Sequence, residues 1–149
     1  MKKVLKLGCG CLGILFLGFL FLFLASYAYY EWIWEEWPTE RIERVAGVKV
    51  PSYKIIEAHK GKRAFTGDYE DSFEIEFKDM PSDELFDEID RMIASGNTGW
   101  RREGNRYSFS VIWGNGLPAP KGESEQNDRT FELIITRGEK VGEIKSGAW

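Results

Sequence analysis

The sequence is poor in the two side chains that most metal sites and nucleophilic active sites depend on. It has two cysteines, Cys9 and Cys11, and a single histidine, His59. Residues beyond position 11 therefore cannot form an internal disulfide, even in an oxidising compartment. One histidine without cysteine cannot assemble a zinc site, and His59 lies beside several cations, where a general base would be poorly placed. We expect neither a metal ion nor a catalytic triad.

Motifs for phosphate and calcium binding are also missing. No glycine-rich phosphate loop follows a strand and opens a helix, so nucleotide binding has no support. Asp68, Glu70 and Asp71 lie close together but lack the glycine and distal glutamate of a calcium loop. We expect no cofactor. A pair of carboxylates for glycoside hydrolysis is the one catalytic arrangement that the composition leaves open.

The charge balance disfavours nucleic acid as a partner. Residues 31–149 keep all 24 acidic residues but lose three of the 20 lysines and arginines, which leaves a net charge of −7. The basic stretch from His59 to Arg63 is typical of a solvated loop tip. An acidic domain repels the phosphate backbone, so we expect no nucleic-acid partner.

A long uncharged run is the most distinctive feature that is present. No charge occurs at the 24 consecutive positions from Leu7 to Tyr30, which are rich in Leu, Phe and Gly. As a helix this run would extend about 36 Å, more than the ~30 Å of bilayer hydrocarbon. The sequence predicts a transmembrane helix within residues 1–30, although a buried helix of a soluble domain is an alternative.

Aromatic residues are concentrated where the apolar run ends. Amphipathic rings favour the headgroup zone of a bilayer. We therefore predict a membrane interface at an aromatic collar of Tyr27, Tyr29, Tyr30, Trp32, Trp34 and Trp37.

The flanking charges predict an orientation. Lys2, Lys3 and Lys6 precede the run, and acidic residues follow it. The excess of positive charge places the N-terminus in the cytoplasm and the C-terminal domain in the periplasm or outside the cell. A cleaved signal peptide, cut after Ala28, is the alternative to a single-pass anchor. Both alternatives export the same domain.

Hydrophobic periodicity beyond the collar predicts an α+β domain. Residues 31–47 are expected to be the collar and a short helical stalk, capped by Thr39 and ended by Gly47, and residues 48–149 the domain. Two strands, one helix over residues 82–95 and then two hairpins should form two layers, with the helix on one face of an antiparallel sheet. A further short strand is possible at residues 63–66.

The hairpins and the strand before the helix have specific predicted registers. Phe73, Ile75 and Phe77 should share a buried face. A turn at Gly104 and Asn105 should place Trp100 opposite Phe109. A turn at Gly138 and Glu139 should place Leu133 opposite Ile144 and Ile135 opposite Gly142.

Residues 114–129 form a long loop without apolar periodicity. Loops of this length in a small domain are either functional or disordered, and disorder or mobility is the more typical outcome. If the loop binds a partner, the candidate contacts are Leu117, Pro118, Pro120 and Lys121.

Together these features predict a membrane-anchored, non-catalytic module that binds another envelope or membrane protein. Two alternatives remain open at this point. One is a secreted or tethered small hydrolase with a carboxylate pair, and the other is a subunit of a membrane complex that contacts its partners through the transmembrane helix. The oligomeric state does not follow from the sequence.

Overall fold

The computed structural model describes residues 15–26, 28, 37–62, 68–96, 99–126 and 128–149. The chain divides into two compact units, Met1–Glu35 and Glu36–Trp149. In the first unit, residues 15–26 form helix α1, and every one of these side chains is exposed. Within the described ranges, no helix combines the length and the apolar character that crossing a membrane requires.

The second unit is an antiparallel sheet with two helices, which confirms the predicted α+β class. The helices are α2 (Thr39–Ala46) and α3 (Asp83–Ser95), and the strands are β1 (Tyr53–Lys60), β2 (Tyr69–Phe77), β3 (Trp100–Glu103), β4 (Arg106–Trp113), β5 (Arg129–Thr136) and β6 (Val141–Ala148). The strand order is β1-β2-β6-β5-β4-β3. Strand β6 therefore lies between β2 and β5, and α3 leads the chain from β2 to the far edge at β3.

Alternation along β2 separates a buried face from an open one, as the sequence predicted. Phe73, Ile75 and Phe77 are buried, whereas the residues between them are partly exposed. A strand covered on one face only shows this period of two. The buried face of the sheet carries the core, and both helices lie against it.

Helix α3 has the limits that its sequence predicted. The Ser82 hydroxyl accepts a hydrogen bond from the Leu85 amide, and Gly96 ends the helix with a φ of 73°. Side-chain capping and a left-handed glycine satisfy backbone groups that the helix itself leaves unpaired. Leu85, Phe86 and Ile89 are buried against the sheet.

The helix α3 is also linked to the sheet by charge. Arg137, just after β5, lies 3.0 Å from the carboxylate of Asp87 and within 4 Å of those of Asp83 and Asp90. These three aspartates share one side of α3 because they are spaced by four and three residues. The guanidinium also lies over the ring of Phe86.

Both predicted hairpin registers are confirmed. Trp100 pairs with Phe109, and Gly104 adopts the positive φ of 62° that its place in the turn requires. Leu133 pairs with Ile144, and Ile135 pairs with Gly142.

Helix α2 differs from the predicted stalk because it belongs to the core of the second unit. Ile42, Val45 and Ala46 are buried, and the Trp100 indole donates a hydrogen bond to the Ala46 carbonyl. Pro38 rather than Thr39 is the N-cap of the helix, and the amides of Arg41 and Ile42 donate hydrogen bonds to the Pro38 carbonyl. The second unit, Glu36–Trp149, thus includes this helix. Apolar residues spaced by three and four positions give α2 a face to bury despite its many charges.

The two edges of the sheet are short or irregular. Strand β1 shifts register between Ile55 and Glu57, which leaves Ile56 as a bulge. Strand β3 has only four residues. The possible strand at residues 63–66 lies outside the described residues.

Candidate functional site

The predicted aromatic collar can be compared with the structure at Trp37 alone. Tyr27, Tyr29, Tyr30, Trp32 and Trp34 lie outside the described residues. Trp37 is 5% exposed and stacks on Phe131 with ring centroids 3.9 Å apart. Its assignment to the membrane interface is therefore corrected, because protein atoms enclose the ring that was expected to face headgroups.

The guanidinium of Arg41 covers Trp37 further, 3.9 Å from the ring centroid. The sequence placed Trp37 in the collar because it follows five other aromatic residues closely. Pro38, the next residue, is the N-cap of α2, so Trp37 lies directly before a helix of the second unit.

The long loop after β4 carries the predicted partner contacts and is anchored at two places. Gly114 and Leu117 exchange backbone hydrogen bonds, and Ala119 packs against the core. Farther along, the carboxylate of Glu123 accepts two hydrogen bonds from Arg41, at 2.9 and 2.6 Å. The loop is thus tied to α2. The sequence had instead favoured a mobile or disordered loop.

The anchors leave most of the predicted contacts accessible. Leu117 is 49% exposed, Pro118 and Lys121 are exposed, and Pro120 is half-buried. These four side chains therefore lie on the surface or at its margin, and whether they bind a partner stays a prediction.

The open face of the sheet, opposite α2 and α3, holds a second candidate site. A cavity of about 340 Å³ lies over β2, β6 and β5 and is lined mainly by Ser72, Glu74, Arg106, Ile134, Val141 and Glu143. Ile134 forms an apolar floor and is only 6% exposed, although it is on the open face. Volumes of this size are at the lower end of those that hold small ligands.

Carboxylates dominate one row of this face. Glu57 pairs with Glu74, and Glu74 pairs with Glu143, so three neighbouring strands place a glutamate at the same level. Like charges opposite one another destabilise a sheet. The row is therefore a feature that packing and solubility alone would not favour.

The neighbours of these glutamates compensate their charge unequally. Glu143 accepts a hydrogen bond from Ser72 at 2.9 Å and lies 3.5 Å from the ammonium of Lys145. Glu57 lies 3.2 Å from His59. Among the residues that the structure describes, neither the Glu74 carboxylate nor the Arg106 guanidinium has a hydrogen-bond or ion-pair partner.

A neighbouring pair on β1 and β2 shows the contrasting, compensated case. The ammonium of Lys54 lies 2.6 Å from Glu76. That hydrogen bond and the accompanying charge lower the pKa of Glu76. Glu76 is thus a charged surface residue with a partner, whereas Glu74, two positions earlier on the same face, has none.

The charged and apolar side chains of this face can bind a ligand through charge and apolar contact. Within the part of the chain that is described, no group of three or more histidine, cysteine or acidic side chains is placed to hold a metal ion. His59, which sequence reasoning set aside as a base, lies at the rim of the cavity and is 70% exposed at its side chain.

The sequence alone did not predict this cavity. Glu74 and Glu143 come together only because β2 pairs with β6, strands that no hairpin connects. The alternation of polar residues on each strand was the available signal, but it does not indicate which strands are neighbours. The chain matches no protein-family model, no curated protein and no solved structure.

Proposed function

We propose that the protein is a single-pass, membrane-anchored and non-catalytic module that binds another envelope or membrane protein, with its N-terminus in the cytoplasm and its α+β unit in the periplasm or outside the cell. The observation that supports this proposal best is the apolar surface of α1. Nine large apolar side chains between Leu15 and Leu24 are 41 to 73% exposed. A helix that is apolar on all sides requires an apolar environment, which is either protein or lipid.

Membrane anchoring is tested by extraction of membranes at alkaline pH, which releases peripheral proteins. We expect the full-length protein to stay with the lipid pellet. Replacing Phe19 and Leu20 by arginine should release it, because each central arginine disfavours insertion by about 3 kcal/mol. The matched variant carries alanine at both positions and should stay in the pellet. Release of the unaltered chain would refute the anchor.

Orientation is tested with a thiol reagent that cannot cross membranes. A variant with Glu125→Cys and with Cys9 and Cys11 replaced by serine has its one thiol on the exposed loop. Intact cells should label this variant, whereas the native chain should be labelled only after lysis. Labelling of the native chain in intact cells, and of the variant only after lysis, would show the opposite topology. The intact mass of the purified chain distinguishes an anchor from a signal peptide cut after Ala28.

Partner binding by the loop is tested with a photo-crosslinking amino acid at position 117. Position 112, on β4, is the matched control because Ile112 and Leu117 are 50% and 49% exposed. We expect a discrete crosslinked product in membranes from position 117 and none from position 112. A product that forms only from positions within α1 would favour the membrane-complex alternative, in which the N-terminal helix makes the contact.

A second candidate function, a small hydrolase, is favoured by one observation. Glu74 and Glu143 face each other across two strands at one cavity, and opposite residues of an antiparallel pair have Cβ atoms about 5 Å apart. From this Cβ spacing the two carboxyl groups can reach the separation of about 5 Å that retaining glycosidases use. Hydrolysis of aryl glycosides by the purified protein, abolished by Glu143→Gln, would establish this alternative. The main proposal expects no turnover above that of buffer.

A further inference from the structure

The cavity on the open face has an electrostatic pattern that points to a particular class of ligand. We propose that it binds a short zwitterionic peptide, with the peptide's ammonium group at Glu74 and Glu143, its carboxylate at Arg106, and its middle side chain over Ile134. This inference concerns the second unit alone and does not depend on the membrane anchor or on the loop.

The two charged side chains of the cavity without described partners have opposite signs. Glu74 lies on β2 and Arg106 on β4, and both line the same cavity. A ligand with a single charge would leave one of them uncompensated. A ligand with an ammonium at one end and a carboxylate at the other compensates both, and it can bind in one direction only.

The ammonium end of the peptide would lie among carboxylates. Glu143 is directly opposite Glu74, and one lysine, Lys145, is shared between Glu143 and Glu132 at 3.5 Å each. The row of glutamates therefore has more negative charge than its neighbours offset. A cation between Glu74 and Glu143 would offset the repulsion between these two like charges.

The distance between the two charges suits a short peptide. Glu74 and Arg106 are three strand spacings apart and offset by two residues along the strands, which is about 16 Å between backbones, and both side chains line the cavity between them. An extended peptide of three residues spans about 10 Å. The apolar floor of Ile134 and Val141 lies between the two charges, where the middle side chain of such a peptide would be.

The test is a titration of the full-length, ¹⁵N-labelled protein in detergent micelles with trialanine, followed by NMR. We expect saturable shifts of the amides of Glu74, Ile134 and Glu143. N-acetyl-trialanine lacks the ammonium and trialanine amide lacks the carboxylate, and each should bind about tenfold more weakly. Equal affinity for the three peptides, or the absence of saturable shifts, would overturn the proposal.

Single substitutions assign each end of the ligand. Glu74→Gln should weaken binding of trialanine about tenfold and leave the binding of N-acetyl-trialanine unchanged. Arg106→Gln should do the same for trialanine and spare trialanine amide. Glu76→Gln is the matched control, because it removes one charge from the same strand and face but lies outside the cavity lining. A loss of affinity as large as that of Glu74→Gln in this control would attribute binding to general charge and refute the site.

Discussion

At the scale of single residues, the junction between Trp37 and Tyr53 holds the start of the second unit in place. The Tyr53 hydroxyl donates a hydrogen bond to the Trp37 carbonyl. Burial raises the pKa of Tyr53 to about 12. The folded protein thus holds the phenol proton more tightly than the unfolded chain, where tyrosine has a pKa of about 10.

The hydrogen bond of Tyr53 predicts a specific dependence of stability on alkaline pH. Because the folded-state pKa is the higher one, the contribution of this phenol is complete below pH 10 and is lost as the pH rises toward 12. At pH 8, Tyr53→Phe should lower the free energy of unfolding by about 1 kcal/mol. At pH 11 the wild-type protein should have lost about 1.4 kcal/mol through this group, which removes its advantage.

Urea denaturation of both proteins at pH 8 and pH 11 measures this change. The difference between the two proteins is the relevant quantity, since other groups that titrate in this range affect both equally. If the two proteins differ in free energy of unfolding by the same amount at both pH values, the pKa of Tyr53 is not raised in the folded state.

At the scale of elements, the sequence predicted local features better than it predicted contacts between residues far apart in the chain. The limits of α3 and the registers of the two hairpins depend on residues close together in sequence, such as Ser82, Gly96 and Gly104. The pairing of β2 with β6 joins residues about 70 positions apart. No local signal specifies such a pairing, and the cavity over Ile134 depends on it.

The loop after β4 illustrates the same limit. Its composition is typical of a mobile segment, yet Glu123 pairs with Arg41, 82 positions earlier. The side chains of Arg41 and Glu123 are 17% and 10% exposed, which is low for an ion pair on a loop. A bidentate ion pair that is this little exposed to solvent contributes more to stability than an exposed one.

We predict that Glu123→Gln loosens this loop without unfolding the domain. Loss of the charged partner should lower the free energy of unfolding by about 1–2 kcal/mol, and the amides of residues 116–123 should exchange hydrogen faster. Glu125→Gln, an exposed neighbour on the same loop, is the control and should change neither quantity. Unchanged exchange in the Glu123 variant would mean that the ion pair does not hold the loop.

At the scale of the whole molecule, the second unit includes residues that precede Val48, where the sequence predicted the domain to begin. Trp37, Ile42 and Val45 are each at most 9% exposed. Burial of a large apolar side chain contributes about 1.5–3 kcal/mol. The summed contribution of these three side chains is comparable with the entire net stability of a small domain, which is about 5–15 kcal/mol.

Two truncated chains test this boundary. A chain that starts at Glu36 should unfold cooperatively in urea, whereas a chain that starts at Val48, the boundary predicted from sequence, should lack a cooperative transition. Circular dichroism during urea titration distinguishes them. Cooperative unfolding of the shorter chain would show that α2 and Trp37 are dispensable for the core.

The irregular edges of the sheet have a consequence for copies crowded side by side at a surface. Exposed backbone amides and carbonyls on an edge strand can recruit a neighbouring chain and start fibril growth. Here the bulge at Ile56, with lysines at positions 54 and 60 around it, interrupts one margin, and the other margin is only four residues long. Neither edge strand therefore offers a long, regular row of backbone groups with which an adjacent copy could pair. A dense layer of this protein should resist aggregation through its sheets.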